Sequence, residues 1–193
     1  MLAARGARLI QADHLAHELM QPGQAVYDEV VRHFGSSILN PDGRVNRPKL
    51  AEAAFRPDRN GATRVAELNA IVHPAVIHRE DEWMEGEGRR NPRVIAVVEA
   101  ALILEAGAAD RFDRLIVVTC SDEQRVQRFA ERMKIDLEVA RNEVARRMAA
   151  QLPDAEKINR ADYVIDNSDS LDATEEQVRH LHVRLKQEAE SRS

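Results

Sequence analysis

Val94-Ile95-Ala96-Val97-Val98-Glu99 and Leu115-Ile116-Val117-Val118-Thr119-Cys120-Ser121 are the two stretches whose reading decides the fold class. Each is a short apolar run rich in β-branched residues that ends on polar ones. Such runs suit strands of a parallel sheet covered on both faces, because no position alternates with solvent. After the second run, Ser121 and Gln124 stand at capping-box spacing. Val126, Phe129 and Met133 then recur along one helical face, and a charged helical stretch continues to Gln151. Between the two runs, Leu102–Ala109 reads as helix.

Working outward, the pattern of strand then helix repeats. Ala7–Ile10 is a short strand, and Asp13 follows it as a good start for a helix carrying Leu15, Leu19 and Met20. Val26, Val30 and Phe34 mark one face of a helix over Ala25–Phe34, and Asn40-Pro41-Asp42-Gly43 is a turn. Helices are expected around Lys49–Phe55 and from about Ala62 to Trp83. His73-Pro74 lies inside the second and is expected to break or kink it. Glu85–Pro92 reads as a polar loop. Tyr163–Ile165 is a last strand, Val178, Leu181 and Leu185 line a closing helix, and the polar tail beyond Lys186 is expected to fray. Strands alternating with helices give an α/β fold with a mostly parallel sheet and right-handed crossovers.

Composition narrows the class. The chain has 193 residues and a net charge of −5, so no basic excess points to nucleic acid. The single cysteine, Cys120, excludes a disulfide within the chain, and its apolar neighbourhood suits a buried, inert thiol. No apolar run approaches the ~20 residues of a membrane span. No secretory signal opens the sequence, and a cytoplasmic location is expected.

In a parallel α/β sheet, ligands bind beyond the carboxyl ends of the strands. Asp13, Glu99 and Asp166-Asn167-Ser168 occupy such positions. Arg125, Arg128 and Arg132 recur on one side of a helix at spacings of three and four. Each has a plainer reading. Asp13 reads equally as a helix cap, the arginines as a solvated face, His73 as a packed histidine beside a kink, and Asp166-Asn167-Ser168 as a turn. No HExxH, Cys/His cluster or Gly-x-Ser-x-Gly elbow is present, so no metal-binding residues are assigned. These residues by themselves indicate an α/β phosphate-handling enzyme.

An ordered set of motifs goes further: Ile10-Gln11-Ala12-Asp13; Gln21-Pro22-Gly23; Asp42-Gly43-Arg44; Ile71-Val72-His73-Pro74; Leu102-Ile103-Leu104-Glu105; Arg128 and Arg132; Gln151 with Glu156-Lys157; and Ala161-Asp162-Tyr163-Val164-Ile165-Asp166-Asn167. In this order and spacing the chain resembles the dephospho-coenzyme A kinases over essentially its whole length. The resemblance implies a P-loop kinase fold in a single kinase domain over 1–193, with a helical substrate-binding part at about 24–90 and a lid at about 122–151. It implies ATP-dependent phosphorylation of the ribose 3′-hydroxyl of dephospho-coenzyme A, with ATP as co-substrate and Mg²⁺. By the same resemblance, Asp13 is the general base and Arg128 meets charge on the transferring phosphoryl group. Arg132 has a similar role on the substrate side, His73 belongs to the substrate-binding part, and Asp166, Asn167 and Ser168 lie near the adenine. A non-catalytic coenzyme A-binding relative and a nucleotide kinase remain as alternatives.

Three positions depart from the family pattern. Gln11 replaces the first aspartate of Asp-Ala-Asp, Ala101 stands where proline is usual, and the stretch Arg132–Arg147 is slightly long. More important, Gly-x-x-x-x-Gly-Lys-Ser/Thr is absent: the four lysines, Lys49, Lys134, Lys157 and Lys186, follow Pro48, Met133, Glu156 and Leu185. Met1–Arg5 reads as the end of a helix stopped by Gly6, as though the chain were an N-terminal truncation, inactive alone and lacking the P-loop and a central strand. That expectation carries a structural consequence: the runs at Val94–Val98 and Leu115–Val118 should not pair with each other.

Overall fold

The computed structural model describes residues 1–57 and 62–191. They divide into two compact units, Ala7–Ala100 and Met1–Gly6 with Ala101–Ser193. The four described strands are β1 (Arg8–Gln11), β2 (Ala96–Glu99), β3 (Ile116–Thr119) and β4 (Tyr163–Asp166). They pair in parallel as two two-stranded sheets, β1 with β2 and β3 with β4. Within its own unit, the run at Val94–Val98 thus pairs with β1, and the run at Leu115–Val118 with β4. Full burial of the strands on both faces is not observed: Val118 is 61% exposed and Leu9 44%.

In the unit Ala7–Ala100, the strand register aligns Arg8 with Ala96 and Gln11 with Glu99. Helix α1 (Ala12–Leu19) follows β1 directly, then come α2 (Ala25–Phe34) and α3 (Arg47–Phe55). Asn46 caps α3 by accepting from the Lys49 amide at 3.1 Å, and Pro48 sits in its first turn, where a missing N–H costs nothing. Between α2 and α3, Gly43 takes φ +82° in the expected turn, and its amide donates to Asn40 O at 3.0 Å. Leu15, Val26, Val30, Phe34, Ile38, Leu50, Ala54, Val72 and Val76 form one core. Burying each large side chain of this set contributes about 1.5–3 kcal/mol.

Helix α4 (Val65–Arg90) corrects two expectations. It passes through Pro74 as one helix, and it continues to Arg90, so the expected loop at 85–92 is largely helical. Pro74 does remove one helical hydrogen bond, but Val72 and Val76 on either side are buried in the core and hold both turns in place. Beyond them the buried stripe continues through Glu80 and Glu87 rather than through apolar residues. Glu87 accepts from Arg8 Nε at 3.1 Å and from Arg90 Nη1 at 2.5 Å. This ties the glycine-containing last turns of α4 to β1, which a hydrophobic-periodicity reading could not detect.

In the second unit, residues 102–109 are not a helix. They form a single turn closed by Gly107 at φ +64°, with Ala108 N donating to Ile103 O and Gly107 N to Leu104 O, a Schellman pattern. The stretch expected as one helix to Gln151 is two, α5 (Asp122–Met133) and α6 (Leu137–Ala149). Lys134 breaks it in the left-handed region at φ 54°, and Asp136 caps α6 by accepting from the Glu138 amide at 2.7 Å. Val126, Phe129 and Ala130 of α5 pack on Ala140, Val144 and Met148 of α6, while Met133 is 51% exposed. Then follow α7 (Asp154–Arg160) and α8 (Leu171–Ser191). Helix α8 buries Val178 and Leu181 against Ile165, and it runs past Lys186 to Ser191, so over the described residues 187–191 the tail expected to fray is helical. Leu2 packs on the same cluster, and Gly6 at φ +97° stops the short 3-10 turn Ala3–Arg5.

Candidate functional site

The carboxyl ends of β1 and β2 present one set of polar groups. Because the strands are parallel and in register, Gln11 and Glu99 end side by side, and Gln11 Nε2 donates to Glu99 Oε2 at 3.0 Å. Asp13 sits just beyond, in the first turn of α1, and is exposed. It is not the cap of that helix. Gln11 occupies the N-cap position and no side chain bonds the free amides there. The capping reading of Asp13 is thereby corrected, and its carboxylate forms no hydrogen bond or ion pair among the described residues. His73 lies half-buried on α4, which packs against α1.

The second unit holds the remaining candidates. Arg125, Arg128 and Arg132 do share one helix, but their surroundings differ. Arg125 Nη2 donates to Asp154 Oδ2 at 2.6 Å, and its Nη1 lies 3.5 Å from Asp122 Oδ1. Burial works against the Arg125 charge, yet the hydrogen bond and charge of Asp154 outweigh it and hold the guanidinium above its ordinary pKa. Arg132 stacks over the Phe129 ring at 5.6 Å, with Arg147 on the same ring at 4.8 Å. Arg128 is exposed and has no ion pair among the described residues.

The segment Asp166–Ser168 is a turn, and one held from several sides. Asp166 Oδ1 accepts from the Ser168 amide at 2.9 Å, and contacts with the Ser168 side chain and amide hold the Asp166 carboxyl below its usual range. Asn167 Oδ1 accepts from Thr174 Oγ1 at 3.0 Å, and Ser168 Oγ accepts from the Ser121 amide at 3.1 Å. Gln124 Nε2 donates to Ser168 O, so the capping residues of α5 also grip this turn. The turn thus stands at the carboxyl end of β4, beside Ser121, the N-cap of α5.

Glu105, Gln151 and Lys157, three residues of the ordered motif set, also come together. Glu105 Oε1 accepts from the Leu152 amide at 3.0 Å and lies 3.3 Å from Lys157 Nζ, which donates to Gln151 Oε1 at 2.6 Å. The side chains of Lys157 and Glu105 are only 15% and 18% exposed. Burial tends to raise the Glu105 pKa, but the amides of Glu105 and Leu152 and the Lys157 charge reverse it and keep the carboxyl below the usual range. The signal in the sequence was the recurrence of Glu105, Gln151 and Lys157 in one ordered motif set; their contact required the fold.

Comparison with known proteins agrees with the motif order. The family model for dephospho-CoA kinase matches residues 1–173. A dephospho-CoA kinase of Corynebacterium jeikeium is 37% identical over 177 residues, which cover 92% of this chain and 86% of that one. One of Moorella thermoacetica is 37% identical over 174 residues, 90% of this chain and 78% of that one. A crystal structure of a Thermus thermophilus protein superposes with a TM-score of 0.73 at 29% identity, over 95% of this chain and 87% of that one. The dephospho-CoA kinase of Campylobacter jejuni shares the fold, with a TM-score of 0.66 at 24% identity over 96% and 89% of the two chains. With a family match over most of its length and relatives of this identity and coverage, the chain belongs to the dephospho-CoA kinase family.

Proposed function

We propose that the gene product transfers the γ-phosphoryl group of ATP to the ribose 3′-hydroxyl of dephospho-coenzyme A, giving coenzyme A and ADP. The observation that carries this reading is the family match over residues 1–173. The free carboxylate of Asp13 beyond the carboxyl end of β1 supports it.

In this reading Asp13 accepts the proton of the 3′-hydroxyl as that oxygen attacks the γ-phosphorus and the bond to ADP breaks. A sugar hydroxyl is a poor nucleophile, and a carboxylate in hydrogen-bond reach assists it. Arg128, with no competing carboxylate, meets the charge on the transferring group, and Arg132 meets the substrate beside it. His73 contributes to the dephospho-coenzyme A side, and Asp166, Asn167 and Ser168 line the adenine. Single kinase domain, helical substrate part at about 24–90 and lid at about 122–151 are the matching domain assignment.

Mg²⁺ accompanies ATP in this reaction class and neutralises charge on its phosphates. Such an ion takes one or two carboxylates and leaves the rest of its shell to phosphate and water. Among the described residues no group of three or more His, Cys, Asp or Glu forms a metal site, and the exposed carboxylate of Glu99 at the carboxyl end of β2 fits the smaller demand. No described helix is long and apolar enough to cross a membrane, and a cytoplasmic location is consistent with soluble substrates.

Incubating the protein with ATP, Mg²⁺ and dephospho-coenzyme A tests the reading. Coenzyme A and ADP are expected in equal amounts. Binding of dephospho-coenzyme A with no ADP formed would indicate a non-catalytic relative, and preferential phosphorylation of nucleoside monophosphates a nucleotide kinase.

A further inference from the structure

Helices α5 and α6 form a hairpin that packs chiefly on itself, through Val126, Phe129, Ala130, Ala140, Val144 and Met148. Its position in the unit is therefore set mainly at its two feet, which Arg125 and Asp154 also tie together at 2.6 Å. The first foot is Ser121, whose amide donates to Ser168 Oγ at 3.1 Å. The second foot is the link Ala150–Pro153 between α6 and α7. It is gripped at Leu152, whose amide donates to Glu105 Oε1 at 3.0 Å, and at Gln151, whose Oε1 accepts from Lys157 Nζ at 2.6 Å. Glu105 and Lys157 complete the grip by pairing at 3.3 Å with little exposure of either side chain.

We propose that Glu105 and Lys157 are positioning residues of the transfer reaction: a charged clasp that fixes the second foot of the α5–α6 hairpin and thereby sets where Arg128 stands. The inference rests on the reading of Arg128 given above. Both charges matter. The Glu105 carboxylate accepts a backbone amide and faces an ammonium; a neutral group in its place leaves the poorly exposed Lys157 charge uncompensated, and the foot relaxes. A displacement of about 1 Å at a group that meets transition-state charge costs about 10²-fold in rate, so a loosened foot is expected to appear in kcat before it appears in substrate affinity.

The test uses E105Q, K157M and the milder K157R in the gene product, read by steady-state kinetics and by amide hydrogen exchange. E105Q and K157M should each lower kcat by about 10-fold or more, leave both KM values within about twofold, and speed exchange at Leu152 and along α6 while β3 and β4 stay protected. K157R, which keeps the charge, should recover much of the kcat lost in K157M. Unchanged kcat, unchanged exchange at Leu152, or a rise in KM at constant kcat would each overturn the clasp. R128M separates the two readings: if it leaves kcat intact while E105Q lowers kcat and frees Leu152, the role of Arg128 and its positioning by the clasp both fall, and only the grip of Glu105 and Lys157 on the second foot stands.

Discussion

Arg125 and Asp154 join α5 to α7 through a 2.6 Å hydrogen bond between Nη2 and Oδ2, which divides three arginines that look equivalent in sequence into different classes. Arg125 belongs to the framework, Arg132 lies over an aromatic ring, and Arg128 is left facing solvent. The role proposed for Arg128 falls on the one of the three with neither an ion pair nor a ring contact among the described residues.

Exchanging each of the two arginines should therefore do opposite things. R128M is expected to lower kcat by about 10²–10³-fold, the cost of removing one charge-stabilising donor, with the melting temperature nearly unchanged. R125M should destabilise the fold by about 1 kcal/mol, because its ion pair is only partly shielded from solvent. Parallel kinetics and denaturant melts on the two variants check both statements.

Asp13 offers a separation of cap from base. Since Asp13 is not the N-cap of α1, D13N should change stability by less than about 0.5 kcal/mol. The same substitution should cost about 10²–10⁴-fold in kcat if the carboxylate accepts the hydroxyl proton. A large loss of stability with activity per folded molecule retained would return Asp13 to a structural role.

Glu87 carries the last turns of α4. Its side chain is 7% exposed, while its partners Arg8 and Arg90 are 61% and 72% exposed. E87L should cost about 1–3 kcal/mol, below the value for a fully buried pair because both arginines can turn to water when Glu87 is lost. Hydrogen exchange should locate the damage at Glu85–Arg90 and β1 rather than at the core around Val30.

The pH dependence has one clear contributor. The hydrogen bond from Arg146, with help from Arg147, lowers the Glu143 pKa to about 2. A depressed carboxylate pKa stabilises the fold above the unfolded pKa, and that contribution disappears as pH falls through the folded value. The stability difference between the parent and E143Q should be present above pH ~4.5 and vanish towards pH ~2. Its size is limited to about 0.5–1 kcal/mol because the pair is at the surface, and added salt should shrink it.

The sequence by itself determined the elements whose signals are local. The β-branched runs at Val94–Val98 and Leu115–Val118, the Val26, Val30 and Phe34 face, the turn at Gly43 and the cap at Ser121 are all present near the expected positions. The family was likewise legible, because motif order survives in one dimension. Tertiary structure alone decided the rest. Pro74 sits in an unbroken helix because buried Val72 and Val76 outweigh one missing hydrogen bond, and that helix reaches Arg90 because Glu87 binds Arg8, a partner far away in sequence. Lys134 divides a stretch that looks continuously helical, and Asp13 proves not to be a cap although its spacing suits one. Which arginine is free, and that Glu105 meets Lys157, depended on contacts between distant segments, which periodicity and propensity do not encode.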